Sequence, residues 1–252
     1  MQIEYHKSFS PCLGQDMELK VYGYYGKPVL VFPSQQGRFH DFEDWGMTTT
    51  LARFIEAGQI KLFTVDSLDG QSWANWTAHP ADRAWRHQDY DRYIVEEVVP
   101  FMRKHCGDTK QKLLTTGVSM GAYHAANFFF RHPDIFDTVI ALSGLYQLSL
   151  FIGDYMDDNV YFNTPLAYLP SLEDAWYLDQ YRQSHIIIAA GQGAWEDDML
   201  ADTLALKHVL TQQNVPHWVD IWGNDVNHDW PWWRKMLPYF LDTLELPAYS
   251  PS

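Results

Sequence analysis

Apolar and polar positions along this chain follow two periods, and the switches between them outline a series of strands and helices. Residues 28–32 (PVLVF) form a compact apolar run of the kind that makes a strand covered on both faces, and residues 17–25 (MELKVYGYY) before it alternate in part. Together they read as the opening strands of a sheet. Residues 48–57 (TTTLARFIEA) have helical spacing and stop at Gly58, after which residues 60–65 (IKLFTV) form another strand. Residues 90–105 place Tyr93, Ile94, Val98, Phe101 and Met102 on one helical face, in a helix that has to accommodate Pro100. Residues 112–116 (KLLTT) follow as a strand, and residues 122–131 (AYHAANFFFR) as a helix ending before His132 and Pro133. Strands are then expected at 138–142 (TVIAL), 185–190 (HIIIAA) and 218–222 (WVDIW), and helices from about Asp198 to Gln213 and from near Pro231, a residue suited to a first helical turn. Alternating βα units imply an α/β class, a doubly wound and mostly parallel sheet with helices on both faces. Residues 146–178 break the alternation with aromatic and acidic side chains. They read as an excursion over the carboxyl ends of the strands, where such sheets bind ligands. No Gly/Ser/Pro-rich linker or charge block divides residues 1–252, so a single domain is expected.

Composition narrows the classes of partner. The apolar share of 46% and the 11 Trp, 15 Tyr and 14 Phe supply a sizeable core and exclude a disordered chain. With 18 Lys and Arg against 32 Asp and Glu, the formal charge of −14 disfavours nucleic acid and anionic membrane surfaces. Cys12 and Cys106 lie far apart without metal-type spacing, and the N-terminus MQIEYHKSFS has no apolar secretion core, so free thiols and a cytoplasmic location are expected. No metal cluster, phosphate-cradling glycine loop or dinucleotide fingerprint is present in the sequence, and no cofactor is expected.

The sharpest chemical signal is Gly117-Val118-Ser119-Met120-Gly121, a G-x-S-x-G placed between a strand and a helix. In that order the serine is forced into a strained turn, the glycines allow strand and helix to approach closely, and the hydroxyl projects at the helix N-terminus. There the N–H of Met120 and the positive end of the helix dipole can stabilise an oxyanion. Short glycine-serine patterns also arise by chance in ordinary turns; the flanking strand and helix are what favour a nucleophile.

A serine nucleophile needs a base and an acid, which in hydrolases of this architecture follow it in the order acid, then histidine. Of the 11 histidines, His228 lies where the base is required, beyond the last strand and before the last helix. Any single histidine is by default a surface or capping residue. Among its rivals, His124 falls inside the helix that follows Ser119 (the elbow helix), and His185 and His217 fall at the starts of strands. The acid is expected after residues 185–190, in Gly191-Gln192-Gly193-Ala194-Trp195-Glu196-Asp197-Asp198, where Glu196 is the candidate and Asp197 its close rival; Asp197 and Asp198 also suit the first turn of a helix. Asp229 is placed to cap the last helix. A second oxyanion donor is expected from Pro33-Ser34-Gln35-Gln36-Gly37, from either Gln35 or Gln36. Trp73, Trp76 and Trp195 are candidates to line a substrate pocket, with core packing the default for large aromatics.

These segments resemble the putative-esterase family of the α/β-hydrolases, the group that holds S-formylglutathione hydrolase, enterochelin esterase, feruloyl esterases and the mycolyltransferases. The likeness rests on residues 117–144 (GVSMGAYHAANFFFRHPDIFDTVIALSG), 69–76 (DGQSWANW), 93–101 (YIVEEVVPF), 191–197 (GQGAWED) and 222–233 (WGNDVNHDWPWW). It implies Ser119, Glu196 and His228 as a triad, with Met120 and the Gln35/Gln36 loop as oxyanion donors. It also implies a small-molecule ester as substrate, hydrolysed through an acyl-enzyme, with acyl transfer to an alcohol or thiol and a non-catalytic binding role as alternatives. PSQQG stands where an HGGG-type oxyanion loop is found in lipases and esterases.

Overall fold

The computed structural model describes residues 1–249. Eight strands make one sheet in the order β1-β2-β4-β3-β5-β6-β7-β8. β1 (Ile3–Ser10) and β2 (Gln15–Tyr22) form an antiparallel hairpin, and β2 also pairs antiparallel with β4 (Ile60–Val65). From β4 through β3 (Lys27–Phe32), β5 (Leu113–Val118), β6 (Phe136–Leu142), β7 (His185–Ala190) and β8 (Trp218–Ile221) every pairing is parallel. The chain has the doubly wound, mostly parallel sheet that the residue pattern implies, and with it the α/β-hydrolase fold that the resemblance implies. Successive side chains of a strand point to opposite faces, so Leu30 and Phe32 join one core with Phe63, Phe128 and Val139. Val29 and Val31 join the other with Leu114, Ile140 and Phe240. β4 and β5 are buried at every position, as a strand covered on both faces must be. Among the described residues no helix is long and apolar enough to cross a membrane.

Several boundaries differ from the pattern-based reading for identifiable reasons. β1 was not anticipated, because its residues are mostly polar and half-exposed, as suits a strand with one neighbour at the edge. The helix expected at 48–57 is a set of short turns, Asp41–Asp44, Met47–Thr50 and Ala52–Glu56, interrupted at Leu51 (φ −89°, ψ 2°). The helix expected at 90–105 begins at Pro80, with the His79 ring accepting from Ala81 N–H as N-cap. It runs on through a wide π-type stretch, Tyr93–Val98, into Val99–Cys106. Pro100 lies in the first turn of that last segment, where a wider turn absorbs the hydrogen bond a proline cannot donate. β5 extends to Val118, so the chain reverses at Ser119 itself.

Residues 146–178 contain the short helices Ser149–Ile152, Asp158–Tyr161 and Pro165–Tyr168, and lead into Ala175–Arg182. Buried side chains tie this stretch down. Asp202 accepts from Tyr146 N–H (2.7 Å), Gln147 N–H (3.1 Å) and the Gln147 side-chain amide (2.8 Å), and burial pushes its carboxyl pKa up. Tyr123 Oη donates to Asn163 O (2.9 Å), and Leu148, Phe151, Ile152 and Val160 pack with Trp73, Met120 and Tyr123.

The elbow helix Met120–Arg131 crosses β3 and β5 at backbone contact. A Cβ on Gly121 would stand 2.5 Å from the carbonyl oxygens of both Phe32 and Pro33, and one on Gly117 would stand 2.3 Å from the Gly121 carbonyl carbon. Gly121→Ala should therefore lower the free energy of unfolding by about 1–3 kcal/mol, the range for forcing a methyl into a packed contact, as read from a urea titration. Gly70→Ala, which meets nothing within 4 Å, should leave it unchanged.

Candidate active site

Ser119 sits at φ 56°, ψ −124°, a left-handed conformation that an L side chain rarely adopts and that the surrounding contacts must hold. They do so through its N–H, which donates to Leu142 O (3.0 Å), and its carbonyl, which accepts from Ala122 and Tyr123. The half-buried hydroxyl is thereby presented where β5 ends and the helix begins.

His228 approaches from the loop after β8, with Nε2 2.8 Å from Ser119 Oγ. Its loop is laced to the one after β7: Gly193 N–H donates to Val226 O (2.8 Å), Ala194 N–H to Asn227 Oδ1 (2.8 Å), and His228 N–H to Ala194 O (2.9 Å). Only glycine fits at the two positions facing that lacing. A Cβ at Gly191 would lie 2.1 Å from Val226 O, and one at Gly193 2.3 Å from Asn227 Oδ1. The ring of Trp233 meets His228 edge-on at 4.9 Å, and the Asp229 carboxylate caps the closing helix Trp230–Thr243 by accepting from Trp230 N–H (2.7 Å).

Glu196 and Asp197 are separated by burial. Glu196 is wholly enclosed, with Oε1 3.5 Å from His228 Nδ1, whereas Asp197 is exposed in the first turn of the helix Asp197–Gln212. The left-handed Trp195 (φ 67°) turns the chain so that the glutamate points inward. At 3.5 Å the Nδ1 to Oε1 separation exceeds a hydrogen bond, yet Nδ1 and the second oxygen, Oε2, are both buried without any hydrogen-bond partner. Buried orphans of opposite character so close together are complementary, and such contacts commonly tighten when a ligand binds.

Two residues in this assembly lay outside the sequence reading. Ser143, left-handed at φ 56° just beyond β6, donates its hydroxyl to Glu196 Oε1 (2.6 Å) and accepts from Trp233 Nε1–H (2.9 Å). A polar residue at the carboxyl end of the strand beside the elbow strand was the available signal. Behind the turn after β3, the fully buried Asp69 accepts from His124 Nε2 (2.7 Å) through one oxygen and from Gln36 N–H (3.2 Å) through the other. That contact separates the two glutamines. Gln36 N–H is taken by Asp69, and Gly37 N–H closes a turn onto Ser34 O (2.8 Å). Among the described residues nothing accepts from the backbone N–H of Gln35 or of Met120.

The tryptophans divide. Trp73 is 0% exposed and its ring packs at a tilt against the buried His87, centroids 4.9 Å apart, so it is a core side chain and not a wall that substrate can touch; the expectation that it binds substrate is corrected. Trp76 is 57% exposed, stacked on Phe151 of the excursion and beneath the Arg83 guanidinium, and Trp195 is 84% exposed beside Glu196. Cys12 and Cys106 are free thiols.

A family model described as "Putative esterase" matches residues 10–243. No curated protein sequence matches the chain significantly. Among solved structures, a ferulic acid esterase superposes with a TM-score of 0.75 at 16% identity, covering 96% of each chain. S-formylglutathione hydrolase (FrmB) from Staphylococcus aureus gives a TM-score of 0.69 at 17% identity, again over 96% of both. MPT51 (FbpC1) of Mycobacterium tuberculosis gives 0.73 at 14% identity, over 97% of this chain and 98% of that one.

Burial predicts that Glu196→Gln lowers kcat for an activated ester far more than Asp197→Asn, because only Glu196 faces the imidazole; the reverse ranking would transfer the role to Asp197. Ser143→Ala should cost about tenfold in kcat with KM little changed, the size expected for removing one hydrogen bond to a charged group.

Proposed function

This chain belongs to the putative-esterase family, and on that premise we propose that it is a serine carboxylic-ester hydrolase in which Ser119, His228 and Glu196 act as one catalytic unit. The observation that carries the proposal is the 2.8 Å approach of His228 Nε2 to a left-handed Ser119, with an enclosed glutamate behind the imidazole. Glu196 favours the tautomer with its proton on Nδ1, which leaves Nε2 free to accept from the serine. Ser119 Oγ attacks the ester carbonyl carbon as its proton passes to His228 Nε2. The carbonyl oxygen becomes an oxyanion facing the free N–H groups of Met120 and Gln35. Collapse breaks the bond to the leaving alcohol, which takes the proton from His228. A water molecule, deprotonated by the same nitrogen, then attacks the acyl-enzyme, releases the acid and returns Ser119 to its starting state. No step calls for a cofactor.

The acyl group is the second part of the proposal. The space beside Met120 is filled by Trp73, Tyr123, Leu148, Phe151, Ile152 and Val160, all buried against one another, which argues against a long apolar channel on that side. Short acyl esters fit such a site, and the charge of −14 gives anionic ones little attraction.

Labelling by a fluorophosphonate tests nucleophile activation without knowledge of the substrate. The expected product is one covalent adduct at Ser119, and absence of labelling in folded protein would favour a non-catalytic role. Ser119→Ala and His228→Ala should each lower kcat by roughly 10³-fold or more, with the double variant little worse than either, as for residues acting together. For p-nitrophenyl esters, kcat/KM should be higher with acetate or butyrate than with palmitate. Each added CH₂ contributes about 0.8 kcal/mol only where apolar surface receives it, so rising activity towards long chains would contradict the filled pocket. Adding an alcohol as competing acceptor distinguishes hydrolysis from acyl transfer by the ratio of acid to ester formed.

A further inference from the structure

At the opposite edge of the sheet from His228, three metal-ligating side chains converge. Glu4 and His6 stand two apart on β1 and share its inner face, and His105 lies in the last turn of the helix Val99–Cys106 packed against that face. Glu4 Oε2 is 3.1 Å from His105 Nε2 and 3.5 Å from His6 Nε2, and one donor atom from each of the three residues lies within 4.8 Å of the other two. Aromatic edges hold the imidazoles in place: His6 meets Phe101 at 4.9 Å, and His105 meets Phe63 at 5.6 Å.

We propose that Glu4, His6 and His105 form a binding site for a divalent ion of the zinc class, independent of the Ser119 site. Hydrogen bonding alone accounts poorly for the arrangement. His105 can donate to Glu4, but the Nε2 of His6, aimed at the same carboxylate oxygen, is buried and has no hydrogen-bond partner. A cation accepts the lone pairs of both imidazoles and the carboxylate together, which removes that orphan. A tetrahedral ion with nitrogen and oxygen ligands at about 2.0–2.1 Å sets its donors roughly 3.3 Å apart; the two separations from Glu4 straddle that figure, and the two imidazoles lie within 4.8 Å of each other. Two imidazoles and one carboxylate are a borderline-soft set that suits zinc, cobalt or nickel ions and not calcium or magnesium, which require oxygen. Three protein ligands leave a fourth position for water. Such an ion would pin β1, which has a single strand neighbour, to a helix of the main body.

The test uses untagged, chelator-treated full-length protein titrated with zinc chloride by calorimetry and with cobalt(II), whose visible absorption reports tetrahedral coordination. The expected result is one equivalent bound with a dissociation constant in the micromolar range or below. His105→Ala and Glu4→Gln should each weaken binding about tenfold or more, while hydrolysis of p-nitrophenyl acetate by the metal-free variants stays unchanged. Glu4→Gln alters a part-exposed side chain, so it separates lost ligation from lost folding. Absence of saturable uptake below about 100 µM, or uptake that both variants retain, would overturn the proposal. So would uptake lost in His228→Ala and kept in His105→Ala, which would place the ion at the active site.

Discussion

Backbone meets backbone beside Ser119 with no room for a methyl group. The helix that begins at Met120 lies against the carbonyls of Phe32 and Pro33 through Gly121, and against β5 through Gly117. This contact fixes the angle at which the helix leaves the sheet, and with it the left-handed turn at the serine. It also determines where the next residues of the other chain segment stand, because the turn from Ser34 to Gly37 follows Pro33 directly. The free N–H groups of Gln35 and Met120 are thus placed by close packing between a strand and a helix, and depend little on a flexible loop.

Two enclosed carboxylates then work in contrasting ways. Asp69 has both oxygens satisfied, one by His124 and one by Gln36 N–H, and ties the turn after β3 to the elbow helix. A buried carboxyl with both oxygens bonded resists movement, since losing either partner would leave an enclosed polar atom unpaired. Glu196 is only half satisfied. Ser143, itself held by Trp233, occupies Oε1, and Oε2 has no partner. An incompletely solvated carboxylate beside an imidazole gains most when that imidazole becomes charged, as it would in the proposed proton transfer from the serine. One carboxylate is a fixed brace, and the other has an oxygen left open beside the imidazole.

Much of this was legible in the residues because independent signals coincided. Strand, glycines and helix agree on Ser119, and chain order singles out His228 from ten other histidines. The structure brings these two together at hydrogen-bond distance. Adjacent acids of similar chemistry could not be ranked, since what divides Glu196 from Asp197 is the left-handed Trp195 that buries one and exposes the other. Nor could the two glutamines, whose difference is set by Asp69, 33 residues further along the chain. Trp73 was misread because an aromatic side chain is equally suited to a pocket wall and to a core, and only its complete burial tells them apart. β1 was missed because its pattern runs against burial: Ile3, Tyr5 and Phe9 lie exposed on one face, while the polar Glu4 and His6 are turned inward.

The site joins positions that are remote in the chain: Ser119 and His228 are 109 residues apart, and the turn from Ser34 to Gly37 precedes both. β3 to β6 precede β7 and β8 in the chain, and Glu196 lies beyond β7 and His228 beyond β8, so Ser119 meets them only once the C-terminal strands have docked. Loop closure over such separations is slow compared with local structure formation, so recovery of esterase turnover after dilution from denaturant would mark the last stage of assembly, later than the return of helical circular dichroism.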